Sequence, residues 1–151
     1  MSPARRFRLV QRVTDEKERR QAQRLAQSRT RVAQYEAKLN ELRGYHAGYL
    51  RDFDRRAAGG IGGAGIREFH AFLAKLAEAI RQQEELLNRA RADSDAEQAS
   101  WQGAAQRSQI MDKVVERHVA LELRARDQHD QREADDRGQR TATRRLDSSG
   151  N

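Results

Sequence analysis

Few residues of this chain have types and spacings that could support chemistry. The four histidines, His46, His70, His118 and His129, are scattered, and no two of them have the spacing of metal ligands. The segment GGIGGAG contains the glycines of a phosphate-binding loop, but no Lys-Ser/Thr pair follows it and no strand pattern precedes it. The chain has no cysteine, which excludes disulfides and thiolate metal sites. We therefore predict that the protein is not an enzyme and that it holds no cofactor and no metal.

Electrostatic binding is the chemistry that remains. The net charge of +7 favours acidic partners such as an acidic protein, nucleic acid or anionic lipid. Many basic residues, however, stand four residues from an acidic one, which is the spacing of ion pairs on an exposed helix face. We expect most of the charge to be solvated helix surface. The basic stretch RRFRLVQR, residues 5–12, is either a contact for an acidic partner or ordinary solvated surface.

The elements that carry these residues are predicted to be long helices. Charged residues make up 35% of the chain and aromatic residues 5%, and the mean hydropathy is -1.05, which is too polar for a compact globule of this length. Apolar residues nevertheless recur every seven positions with a companion three positions away, as in a coiled coil, and disorder does not maintain such a period. The main series are Leu25, Val32, Leu39, His46 and Phe53, and then Ile66, Leu73, Ile80 and Leu87.

The glycine-rich segment AGGIGGAG predicts a reversal of the chain. Five of the ten glycines lie between Gly59 and Gly65, where they would end one helix and start another. The predicted fold is all-α, a long antiparallel two-helix coiled-coil hairpin. Helix one is expected over about 4–56, the turn over 57–65 and helix two over about 66–137, all as one domain over 1–137. The tail 138–151 lacks periodicity and is predicted to be disordered.

No apolar run reaches the roughly 20 residues of a membrane span, and the charged N-terminal segment does not read as a secretory signal. We expect a cytosolic protein with no transmembrane segment. Several aromatic residues lie at the edges of the predicted seam, where they either thicken the core or form a docking surface for a partner. Whether the hairpin is monomeric or self-associates is open.

Several segments together resemble the FliJ family, the small coiled-coil component of the bacterial flagellar type III export apparatus. They are the pair Tyr45 and Tyr49, the glycine-bearing turn with Ile61, the segment FHAFLAKLAEAIRQQ over Phe69–Gln83, and Trp101 followed by VVERH. The resemblance covers about residues 7–137.

The resemblance implies a hairpin like the γ-subunit stalk of the rotary ATP synthase. It implies that the end bearing both termini inserts into the export ATPase ring and promotes its hexamerisation, and that the other half binds the cytoplasmic part of the large export-gate membrane protein. Escort of export chaperones is also implied, as is peripheral association with the inner membrane. The positions matching the gate-docking surface are Leu42, Tyr45, Tyr49, Phe72, Leu76 and Ala79. For the ATPase contact, the basic end offers Arg5, Arg6 and Arg12.

Three alternatives stay open at this point. The chain could be the homologous stalk of a virulence type III secretion system, which sequence separates poorly from the flagellar one. It could be a basic coiled-coil protein that binds nucleic acid through residues 5–24, although the acidic residues interleaved there weaken this hypothesis. It could also be a purely structural coiled coil that self-associates.

Overall fold

Two α-helices make up the fold. The computed structural model describes residues 1–150, in which helix α1 spans Pro3–Ala58, helix α2 spans Gly63–Ser149 and no strand is present. The contacts divide into a turn unit, Arg19–Gly103, and a terminal unit, which combines Met1–Glu18 with the chain from Ala104 onward. In each unit α1 packs against α2. The predicted all-α helical hairpin is confirmed.

Helix α1 begins with two features that the sequence places there. Pro3 is the first helical residue, where its missing N–H costs no hydrogen bond and its fixed φ already suits the helix. The Ser2 hydroxyl accepts a hydrogen bond from the Arg5 N–H at 3.2 Å, which caps one of the unpaired donors of the first turn. The absence of any further proline from the sequence leaves both helices free to run uninterrupted.

The connection between the helices needs glycine at two positions. Gly60 has φ +87°, a left-handed conformation that side chains rarely adopt, and its N–H donates to the Ala57 carbonyl at 3.3 Å. At Gly65, a Cβ would lie 2.6 Å from Cγ2 of Ile61, so this position needs glycine for space. The other three glycines of the cluster meet neither constraint. Because α2 already begins at Gly63, the connection is shorter than the predicted turn over 57–65.

In the turn unit, the buried apolar side chains lie on the predicted seam. They are Leu25, Leu39, Leu87 and Ala90. Ion pairs at the seam edges set the antiparallel register: Glu36 meets Arg91 at 2.8 Å, and seven residues further along α1, Arg43 meets Glu84 at 3.0 Å. Both pairs are exposed and contribute little stability, but they align the two helices.

Ser28 is buried in the same seam, a position that the apolar series did not include. Its hydroxyl donates to the Leu25 carbonyl at 2.8 Å, which satisfies the buried polar group within its own helix. A further polar contact across the seam joins Gln21 to Glu97. The seam is therefore partly polar where apolar residues run out.

In the terminal unit, the buried residues are small. They are Ala4, Ala104 and Val115. The Ala4 N–H donates to Oε1 of Glu122 at 3.2 Å, which joins the first turn of α1 to α2. Further along, Asp112 accepts from Gln11 at 2.7 Å and Asp15 accepts from Ser108 at 2.6 Å, and the Phe7 ring stacks on His118 with centroids 4.6 Å apart.

Every described residue of α2 after Glu122 is exposed. The helix continues to Ser149, whereas the sequence predicts a disordered tail over 138–151, of which Asn151 lies outside the described residues. Local pairs such as Glu133 with Arg137 at 3.5 Å accompany this segment, and its residues are mostly good helix formers. Because no buried side chain supports the segment, the predicted tail stays a prediction about how far this helix frays.

Candidate docking surfaces

Two helix faces in the turn unit carry the six residues predicted to dock a partner. Steps of three and four residues place the three on α1 on one face, and the same holds for the three on α2. The rings of Tyr49 and Phe72 join the two faces, with centroids 4.4 Å apart. In an antiparallel pair, this contact puts the earlier α1 positions opposite the later α2 positions. We call the set the aromatic surface: Leu42, Tyr45, Tyr49, Phe72, Leu76 and Ala79.

The aromatic surface exposes large rings to solvent. Tyr45 is 54% exposed, Tyr49 40% and Phe72 39%, whereas the other three members are half-buried. Exposed aromatic rings in contact are unusual in a chain so rich in charge, and such patches commonly mark binding sites. The structure therefore brings the predicted residues together as a patch, while their role stays a prediction.

A second layer of rings supports this patch from the side nearer the turn. The Phe69 ring lies 6.3 Å from Tyr49 and 5.3 Å from Phe53, in edge-to-face arrangements that aromatic pairs prefer. The guanidinium of Arg56 lies 5.6 Å from the centre of the Phe69 ring. Phe69 thus lies between Tyr49 and Phe53 and packs against the ring of Tyr49 from the turn side.

The second candidate surface is a groove between the helices of the terminal unit, with a volume of about 500 Å³. Arg5 and Arg12, two of the three predicted basic residues, line it, whereas Arg6 does not. Two more arginines, Arg8 and Arg126, line it as well, and sequence reasoning did not single them out. We call this the basic groove. Its apolar lining is Ala4, Leu9, Val119 and Leu123.

A periodic pattern could have revealed the groove. On α1, residues 5, 8, 9 and 12 have the spacing i, i+3, i+4 and i+7 of a single helix face, and residues 119, 122, 123 and 126 repeat this spacing on α2. Arg6 stands one residue after Arg5, about 100° around the helix, which explains why it points away from the groove. Counting basic residues along the sequence does not separate these two faces.

An exposed charge network on α2 has no part in either surface. Arg81 donates to Glu78 at 2.5 Å and 2.9 Å and to Glu85 at 2.8 Å. The hydrogen bonds from Arg81, followed by its positive charge, lower the pKa of the Glu78 carboxyl below its ordinary value. The same pairing raises the pKa of Arg81. The spacing of these residues within one helix makes this a local helix-stabilising network.

The histidines lie in four separate places, as their spacing indicates. His118 stacks on Phe7, His70 lies 5.6 Å from the Phe53 ring, His129 contacts Glu133 at 3.1 Å, and His46 is half-buried. Within residues 1–150, no three histidine, aspartate or glutamate side chains are grouped so that they could hold a metal ion.

Comparison with known proteins bears on what these surfaces serve. A protein-family model described as Flagellar FliJ protein matches residues 3–147. Neither the curated proteins nor the solved structures gave a match. In the part of the chain that the structure describes, neither helix has a stretch apolar enough to cross a bilayer. Because the family match extends over nearly all of α1 and α2, the chain belongs to the FliJ family and is a component of a flagellar or related type III export apparatus.

Proposed function

We propose that this protein is a non-catalytic stalk of the export apparatus. It promotes assembly of the export ATPase ring, links that ring to the large export-gate membrane protein at the cytoplasmic face of the inner membrane, and escorts export chaperones. The observation that carries the proposal is the aromatic surface, where the rings of Tyr45, Tyr49 and Phe72 are exposed and those of Tyr49 and Phe72 are in contact. Membership of the FliJ family supplies the export context.

Such a stalk would act through differential binding. A helical hairpin that contacts one conformation of an ATPase ring more strongly than another shifts the ring toward that conformation, without any chemical step of its own. The proposal needs two separate surfaces, one for the ring and one for the gate. The basic groove in the terminal unit and the aromatic surface in the turn unit support this division.

The double substitution Tyr45→Ala with Tyr49→Ala tests the gate contact. Both rings are partly exposed, so removing them should leave helicity unchanged and weaken binding to the cytoplasmic part of the gate by about tenfold or more. Swimming of cells that carry the variant should fall accordingly. Circular dichroism, a pull-down or titration with the gate fragment, and a soft-agar motility assay measure the three quantities.

Leu50→Ala is the matched control for this test. Leu50 is 41% exposed, nearly the same as Tyr49, and is adjacent to it in the sequence, but it lies on a different face of α1. It should bind the gate fragment as the unaltered chain does. Normal swimming of the double variant, or an equal loss in the control, would count strongly against the aromatic surface as the gate contact.

Charge reversal at Arg5, Arg6 and Arg12 tests the ATPase contact. If the basic end binds the ring, glutamate at these positions should reduce the stimulation of ATPase hexamer formation, measured by sedimentation or by the dependence of ATP hydrolysis on enzyme concentration. Hexamer formation that responds equally to the variant and the unaltered chain would refute the role of this end.

A further inference from the structure

We infer that the basic groove binds an acidic amphipathic helix, supplied by a partner protein, which packs against both helices of the terminal unit as a third helix. The inference goes beyond a contact between opposite charges, because it assigns an apolar floor, a defined set of arginines and a helical ligand. It rests on the proposed function only for the identity of the partner, for which the export ATPase is the candidate.

The shape of the groove fits a helix. Each wall is one helix face, formed on α1 by residues 5, 8, 9 and 12 and on α2 by residues 119, 122, 123 and 126. Each wall thus covers two helical turns, roughly 10 Å along the axis. The depression between two packed helices is where a third helix inserts its side-chain ridge. An apolar pair spaced i and i+4 on the ligand would match this length.

The floor of the groove is apolar and incompletely covered. Leu9 is 48% exposed and Leu123 is 53% exposed, and Val119 lies half-buried between the helices. The two-helix pair itself cannot cover these side chains because each helix already uses its seam face against the other. A leucine-bearing helix would remove this apolar area from water, which is the main source of affinity in such a contact.

The charges around the floor select an acidic ligand. Arg5, Arg8, Arg12 and Arg126 line the groove, and within residues 1–150 none of their side chains forms an ion pair or a hydrogen bond. The one carboxylate of the lining, Glu122, already accepts a hydrogen bond from the Ala4 N–H. The first turn of α1 adds the positive end of its helix dipole. The lining therefore holds four arginines against one glutamate, and the excess positive charge lies on the α1 wall.

The acidic segment of α2 does not have the chemistry to act as the ligand of this groove in a second copy of the chain. Residues 127–136, DQHDQREADD, have the required negative charge, but alanine is their only apolar residue. A ligand from another protein must combine both properties. An anionic membrane surface or a duplex of nucleic acid would meet the arginines but could not insert apolar side chains between two helices.

The test uses the full chain and a fluorescein-labelled synthetic helix with leucines at i and i+4 on one face and glutamates beside them. Fluorescence anisotropy should show saturable binding with a Kd in the micromolar range, about what a two-turn contact supports. Arg8→Glu and Leu123→Gln should each weaken binding by about tenfold or more. Arg29→Glu, a matched charge reversal at an exposed α1 position outside the groove, should change Kd by less than about twofold.

Two peptide controls separate the two properties of the ligand. A peptide with glutamine in place of leucine should lose binding to the unaltered chain, and so should one with lysine in place of glutamate. Equal effects of Arg29→Glu and Arg8→Glu, or equal binding of the glutamine peptide, would reduce the contact to diffuse electrostatics and overturn the inference.

Other occupants would also overturn it. Vesicles containing phosphatidylserine, a duplex DNA or a second copy of this chain, bound through Arg8 and Leu123 when the peptide is not, would identify a different ligand. The proposed function is tested separately by ATPase assembly. If the unaltered chain binds the peptide but Arg8→Glu still promotes ATPase assembly, the groove binds a helix and the ATPase is rejected as its partner. If Arg8→Glu loses assembly but the unaltered chain does not bind the peptide, the ATPase contact stands and the helical ligand is rejected.

Discussion

Substitution of Leu39 by alanine tests the idea that stability and partner binding use different residues of the same helix. Leu39 is 4% exposed and lies beside Leu87, which is also 4% exposed, in the seam of the turn unit. Tyr45 is six residues further along α1 and is 54% exposed. Leu39→Ala should destabilise the helix pair, whereas Tyr45→Ala should not.

The size of the effect follows from the burial of each side chain. Leu→Ala removes three carbon atoms from a nearly fully buried position, which costs about 2.4 kcal/mol in lost burial. The cavity contribution should be small because the seam is only one side chain deep and borders a solvent-accessible depression lined by Arg43 and Glu84. We expect about 2–3 kcal/mol for Leu39→Ala. For Tyr45→Ala, which loses mostly exposed ring and an exposed hydrogen bond to Glu41, we expect less than about 1 kcal/mol.

Urea unfolding followed by circular dichroism at 222 nm measures both changes, and for a chain of this size 2–3 kcal/mol corresponds to a Tm shift of roughly 4–12 °C. Binding to the gate fragment, measured at a temperature where both variants are folded, should be weakened more by Tyr45→Ala than by Leu39→Ala. A loss below about 1 kcal/mol for Leu39→Ala, or equal losses for the two variants, would mean that the seam is not what holds the helices together.

Three further predictions concern backbone, charge and the end of α2. Gly60→Ala should cost about 1 kcal/mol because alanine is strained at positive φ, whereas Gly62→Ala, which has open space and no such φ, should be neutral within about 0.5 kcal/mol by urea unfolding. Arg81 lowers the pKa of the Glu78 carboxyl, so the ionised carboxylate should stabilise the helix at pH values above the ordinary carboxyl pKa, and this stabilisation should be lost as the pH falls through the lowered pKa. Titration of the carboxyl carbon-13 chemical shift measures this pKa, and an ordinary value would contradict the prediction. Hydrogen exchange over 138–150 should be as fast as in an unstructured peptide, since no buried contact protects this segment; slow exchange would show that the tail is a stable helix.

The seven-residue pattern was sufficient to predict the helices and their seam. Leu25, Leu39, Leu87 and Ala90 are buried where the repeat places them, because burial of one stripe is the main constraint that a two-helix fold imposes on its sequence. The single glycine cluster predicted the position of the reversal, because the connection needs glycine at Gly60 and Gly65.

Polar seam positions were harder to predict. Ser28 lies one heptad before Tyr35 and is buried. Its residue type does not predict burial, because serine is usually exposed. Its burial depends on a hydrogen bond to its own helix, which a hydropathy pattern cannot register. The contact between Gln21 and Glu97 depends likewise on the register of the two helices. Extending the repeat upstream through position 21 would have identified these residues as seam positions without saying what they contact.

The basic groove shows a different limit of sequence reasoning. The three residues predicted for the ATPase contact are all arginines and lie near one another in the sequence. Only Arg5 and Arg12 line the groove, whereas Arg6 does not. The missing information was which face of α1 lies beside α2, and this depends on residues more than a hundred positions away. By contrast, the members of the aromatic surface came from the resemblance to the FliJ family, and the contact between Tyr49 and Phe72 near the turn joins their two helix faces.

A two-helix hairpin has one face per helix available for its own core, and this limits where binding sites can form. Any further apolar side chain must lie at an edge of the seam, where it stays partly exposed, as Tyr45, Phe72, Leu9 and Leu123 do. A third helix laid along such an edge covers apolar surface that the pair cannot cover alone, so binding and stabilisation of the pair are coupled. The thin core of a two-helix hairpin is therefore the same property that leaves apolar side chains at its edges for a partner to cover.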